Sequence, residues 1–99
     1  MKVKSPKLVK FAVSNSNPHI KALKRGSIVK VSTGKESFWV VVNSRTGNSF
    51  TGEVNNMLVA TPLKLGEVIA FKTKNIMDIS PEVLKESKRK IMRLAMSVL

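Results

Sequence analysis

Five consecutive aromatic or β-branched residues, Phe38-Trp39-Val40-Val41-Val42, constrain this chain more than any other feature. Side chains of this shape suit a pleated surface covered on both faces and lose rotamer freedom in a helix. The run is expected to be the central strand of a sheet. Turn chemistry brackets it, with Thr33-Gly34-Lys35 before and Asn43-Ser44-Arg45-Thr46-Gly47-Asn48 after. Shorter β-like runs recur on either side. Ile28, Val29 and Val31 precede the first turn. Ser49 to Val54 alternates, with Phe50, Gly52 and Val54 on one face and Thr51 and Glu53 on the other. Gly52 inside a strand signals a bulge, a bend or a close backbone approach. Leu58-Val59-Ala60 is a short strand candidate stopped by Pro62. Val68-Ile69-Ala70-Phe71 follows Leu65-Gly66-Glu67, and Asn75-Ile76-Met77-Asp78-Ile79 ends the series. About five short strands with connections of about two to six residues predict a mainly β fold, a small antiparallel barrel or bent sheet of the SH3-like kind.

Two helices are expected at the flanks. Asn17 caps and Pro18 starts a turn or two carrying Ile20, Ala22 and Leu23, which Gly26 stops. Ser80-Pro81-Glu82 has the same opening chemistry, and Leu84, Ile91, Ala95 and Val98 recur near the helical period behind it, widened by Leu94. This C-terminal α-helix is expected to pack on the body or to make a homodimer contact. The chain thus divides into a basic arm with a short helix at 1–26, a β-barrel body at 27–79 and a basic amphipathic helix at 80–99, forming one domain overall.

Charge decides the class of partner. The 99 residues carry a net charge of +12, from 18 Lys and Arg against 6 Asp and Glu. Such an excess predicts acidic partners. It is concentrated at the ends: residues 1–30 contain no acid, whereas Glu36, Glu53, Glu67 and Asp78 nearly balance the bases of residues 31–79. The expected nucleic-acid contacts are Lys2, Lys4, Lys7, Lys10, Lys21, Lys24 and Arg25, then Lys85, Lys88, Arg89, Lys90 and Arg93, with Lys85, Arg89 and Arg93 forming a ridge. They would neutralise phosphates and release counterions. Phe38 and Trp39 are neighbours on a strand and face opposite ways, so either one is core and the other exposed or both are covered; Trp39 is the candidate for base stacking. The alternative partner is an acidic protein, a host protein if the chain is phage-encoded, for which an exposed apolar patch beside the arm would speak. An anionic membrane surface, reached through the C-terminal helix, ranks third. Leu8 to Val13 is expected to be an edge strand or a packed arm, and residues 1–10 to be dispensable for the fold. Edge lysines there also guard against strand aggregation.

Enzymatic chemistry finds little support. There is no cysteine, no metal-ligand spacing and no glycine-rich phosphate loop, so no metal or cofactor is expected. The single histidine, His19, sits in helix-start punctuation without a predictable partner. Asp78 is expected to cap the turn into the C-terminal helix, and Glu82 and Glu86 to pair with neighbouring bases. No apolar run reaches the ~18 residues of a membrane span, and no signal peptide is evident, so a cytoplasmic setting without integral membrane association is expected.

Several segments carry a resemblance. Phe38-Trp39-Val40-Val41-Val42, Phe50-Thr51-Gly52-Glu53-Val54-Asn55-Asn56, Leu65-Gly66-Glu67-Val68 and Asn75-Ile76-Met77-Asp78-Ile79 occur in an order that resembles the small bacterial and phage-borne family known as domain of unknown function 2314. The likeness covers residues 27–79. Members often carry Trp after the final Asp, where this chain has Ile79. The resemblance implies a compact β domain and supplies no catalytic residue.

Overall fold

The β-branched runs become strands wherever a neighbour completes their hydrogen bonds. The computed structural model describes residues 2–14 and 16–83. Its elements are β1 (Val3–Lys4), α1 (Pro18–Lys21), β2 (Ser27–Ser32), β3 (Ser37–Thr46), β4 (Ser49–Val54), β5 (Val68–Lys72), a 3-10 turn (Thr73–Asn75) and β6 (Asp78–Val83). They form one six-stranded sheet in the order β1-β5-β4-β3-β2-β6. All neighbours are antiparallel except β1, which runs parallel to β5. The fold is mainly β, as expected, but the sheet is mixed and no ladder joins its two edges, so it is not a closed barrel.

It is nonetheless curled. In a flat sheet β5 and β6 would lie four strand spacings apart, at least about 19 Å. The link from Lys72 to Asp78 contains the 3-10 turn and reaches only about 16 Å. Bulges supply the bend. Asn43 is the extra residue in β3, where Val42 pairs with Gly52 and Ser44 with Thr51. The register also shifts between Ser27 and Val29 against β6. The N-terminal arm spans what the ladder leaves open. Val9 N–H donates to Ser32 O at the end of β2 (2.8 Å), and Phe11 N–H to Lys74 O in the 3-10 turn (2.6 Å). Asn75 Nδ2 donates to Val9 O (3.1 Å) while its Oδ1 accepts the Lys72 N–H (2.9 Å).

The inner face carries the core. Val29, Val31, Phe38, Val40, Val42, Phe50, Val54, Ile69 and Phe71 meet there, with Ile20 from α1, Leu23 just after it, and Leu8 and Val13 of the arm packed against them. Phe50 and Phe71 stack with centroids 5.1 Å apart. Gly52 fits only as glycine: a Cβ would lie 2.5 Å from Val40 Cγ1 and 2.7 Å from Val41 O. Arg45 fastens α1 to the sheet. Its Nη1 donates to Ile20 O and Leu23 O, its Nε to Gly47 O, and its guanidinium lies over the Phe50 ring. On the outer face, Ile28 and Val41 form a smaller cluster with Trp39.

Three expectations are corrected. Leu58-Val59-Ala60 is not a strand, because the Glu36 carboxylate takes the Val59 and Ala60 N–H groups that a ladder would need (2.9 and 3.0 Å). The predicted helix start at Ser80-Pro81-Glu82 is part of β6, whose pairs Val29–Ile79 and Ser27–Val83 leave Pro81 in an irregularity of an edge strand, where its missing N–H is tolerated. The rest of the expected C-terminal helix lies outside the described residues. Asp78 accepts the Ile79 N–H at the start of β6 and caps no helix. Leu8 to Val13 is a packed arm, one of the two forms expected: Leu8 and Val13 pack on the core and Val9 bonds to β2, while β1 ahead of it pairs with β5. The short helix is as expected, a single turn with Asn17 Oδ1 accepting the His19 N–H (2.9 Å). Among the described residues no helix is long and apolar enough to cross a membrane.

Candidate anion-binding surface

Because the arm crosses the molecule, its alternate lysines meet lysines of the body in two places. Lys10 lines a cleft of about 700 Å³ with Lys72, Lys74, Asn48, Ser49, Thr73, Asn75 and Val13. The end of β5 and the 3-10 turn contribute Lys72 and Lys74, and the β3–β4 hairpin contributes Asn48 and Ser49. The backbone bonds of Val9 and Phe11 seat Lys10 against them. Among the described residues no carboxylate lines this cleft. Lys10, Lys72 and Lys74 are all exposed, so their ammonium groups are open to a ligand.

The second cleft, about 430 Å³, gathers Lys4 and Lys7 of the arm with Lys35 of the β2–β3 turn. Pro6, Ala60, Pro62 and Leu63 supply an apolar lining, and Ser5, Thr33 and Thr61 supply hydroxyls. Carboxylates offset this charge. Lys4 Nζ lies 2.5 Å from Glu67 Oε2. That ammonium, followed by the Lys64 backbone N–H, holds the Glu67 carboxyl below its ordinary value. Glu36 is also held low, first by the Val59 N–H, then by the Thr61 side chain. Both acids therefore stay ionised beside the second cleft.

The remaining sequence candidates are dispersed. Lys2 is exposed beside β1, and Lys21, Lys24 and Arg25 are exposed around α1 and its turn into β2; none of them lines either lysine cleft. Lys85, Lys88, Arg89, Lys90 and Arg93 lie outside the described residues. Phe38 is buried in the core. Trp39 is half-buried on the outer face, with Lys30 Nζ 5.4 Å from its ring centroid and its backbone N–H donated to Asn56 Oδ1. The stacking candidate is therefore partly covered and already engages a cation.

Sequence reasoning missed Lys35, Lys72 and Lys74. Summed by segment, their charge is cancelled by the four acids of residues 31–79. In space none of the four lines the cleft of Lys72 and Lys74: Glu36 and Glu67 stand near the second cleft, where Lys35 lies, Glu53 is on β4 and Asp78 on β6. The visible signal was Lys72-Thr73-Lys74 at a strand end, two cations two residues apart.

A third cleft, about 610 Å³, runs between α1 and β6 and is lined by both His19 and Asp78. Its other walls are mainly apolar, including Val13, Ile20, Leu23, Ile76 and Ile79. Both polar side chains are exposed, and Asp78 Oδ1 holds the neighbouring Ile79 N–H. Among the described residues no group of three or more His, Asp or Glu could hold a metal ion. No protein-family model, curated protein or solved structure matches this chain.

Proposed function

We propose that the protein is a small non-enzymatic binding module for nucleic acid, held through electrostatic contacts to phosphates. One observation carries this reading. Lysines spread along the sequence are gathered into clefts by arm docking, Lys10 with Lys72 and Lys74, and Lys7 with Lys35. Gathered ammonium groups contact successive phosphates and release counterions. Lys2, Lys21, Lys24 and Arg25 extend the positive surface, and Lys30 with Trp39 offers a partly open ring for a base. The fold proposed for this module is the SH3-like bent sheet, with the resemblance of residues 27–79 to domain of unknown function 2314 and a cytoplasmic setting belonging to the same proposal.

The test is anisotropy with labelled single- and double-stranded DNA and RNA over a range of salt. Contact with roughly six phosphates lowers affinity by ~10³ between 50 and 200 mM salt. Binding indifferent to salt sinks the proposal.

A second reading, docking on an acidic protein, is favoured by one feature. Met57 and Val59 are 60% and 95% exposed in the loop that leads into Ala60 to Leu63 of the second cleft. An apolar patch beside lysines suits a protein partner better than a phosphate backbone. A stoichiometric protein recovered from nuclease-treated lysate, and lost with Met57→Ser and Val59→Ser, decides for this reading.

A further inference from the structure

The cleft formed by Lys10, Lys72 and Lys74 has a property that a solvated basic surface lacks: its cations belong to two segments that must dock. Lys10 stands between Val9 and Phe11, whose backbone groups bond to Asn75 and Lys74. Each time the arm seats, the Lys10 side chain is brought to a cleft shared with Lys72 and Lys74. Like charges so gathered oppose the docking. Among the described residues no carboxylate lines the cleft, and the Lys4–Glu67 ion pair belongs to the other cleft. Among the described residues the lining offers the docked arm no acid to offset this repulsion, and a multiply charged anion would relieve it.

We propose that this cleft is a site for a chain of linked phosphates, and that such a ligand clamps the N-terminal arm onto the body. Its volume of about 700 Å³ exceeds the needs of a single phosphate and lies in the range of small-ligand pockets. Lys72 and Lys74 are separated by one residue across the end of β5, and Lys10 approaches from the arm. Three cations on two segments suit two or more phosphates better than one. The hairpin residues Asn48 and Ser49 add neutral hydrogen-bonding groups to the wall. The ligand chemistry is shared by free oligophosphate and by a nucleic-acid backbone. The inference rests on the nucleic-acid reading only for the second of these sources.

The test uses the full chain, inorganic tripolyphosphate and a short oligonucleotide, each at matched ionic strength. The readout is hydrogen exchange at the amides of Val9 and Phe11, which close the arm onto Ser32 and Lys74. Ligand binding slows both amides by about tenfold or more, and Lys72→Gln with Lys74→Gln removes at least that factor. In the absence of ligand the same double substitution raises Tm, because repulsion of Lys10 is relieved. Equal slowing by sodium chloride, or slowing that survives the double substitution, overturns the proposal. Oligonucleotide binding that leaves these amides unchanged overturns the clamp while the proposed function stands. Slowing by tripolyphosphate without any oligonucleotide binding does the reverse.

Discussion

The two lysine clefts contain the same cations in the same number and differ in their acids. Lys10, Lys72 and Lys74 meet with no carboxylate in the lining among the described residues, whereas Lys4, Lys7 and Lys35 meet beside Glu67 and Glu36. The difference separates two uses of charge. In the second cleft a lysine and its acid hold structure together, tying β1 to the turn before β5. Glu36 likewise holds the loop around Val59 and Ala60. In the first cleft the charge is left over, and leftover charge is what an anionic ligand can use. Counting lysines does not distinguish these cases; locating the acids does.

The strongest challenge to the comparison removes the scaffold common to both clefts. Gly52→Ala forces a Cβ against Val41 O and Val40. It is expected to cost about 2 kcal/mol and lower Tm by about 10 °C, with anion affinity falling at both clefts together when the protein melts. Thermal denaturation followed by circular dichroism checks this. Next in size is the paired neutralisation. Lys72→Gln with Lys74→Gln should weaken oligonucleotide binding about tenfold, and more than Lys7→Gln with Lys35→Gln, because the second pair works against nearby acids. Equal losses measured by anisotropy would erase the distinction. A smaller effect sharpens it: Glu67→Gln frees Lys4 and should raise oligonucleotide affinity about threefold.

The acidic limb of stability gives the least dramatic contrast. Glu36 and Glu67 have carboxyls held below the ordinary value of 4.5. Their folded forms favour the ionised state, so their stabilisation is fully present above that value and is lost as pH falls through the lower folded values. Protection factors at the Val59, Ala60 and Lys64 amides, taken against the intrinsic exchange rate at each pH, should fall over that acid range, while that of Phe11, bonded to a backbone carbonyl, should not respond in the same window.

Local chemistry made much of the sheet legible. The β-branched run at Phe38, the alternation through Phe50, Gly52 and Val54, and the Asn17-Pro18 helix start all appear as expected. Gly52 signals a bulge, a bend or a close backbone approach, and the Val40 and Val41 contacts show the close approach. What failed depended on distant partners. Ser80-Pro81-Glu82 has the chemistry of a helix start, but pairing with β2 overrides it through Val83. Leu58-Val59-Ala60 has strand-forming side chains, but the Glu36 carboxylate claims its amides. The arm lysines were visible as a group. Their companions Lys35, Lys72 and Lys74 were not, because nothing local to residues 72–74 says that Val9 and Phe11 will dock there.

The central claim is that arm docking assembles a cation cluster that binds phosphates. The most direct measurement is the slope of log affinity against log salt for an oligonucleotide, compared between the parent chain and a Lys10→Gln, Lys72→Gln, Lys74→Gln variant. Each neutralised phosphate contact contributes about 0.7 to 0.9 to the slope. The account predicts a slope shallower by about 2 to 3 in the variant, with the fold retained. An unchanged slope and affinity would contradict it.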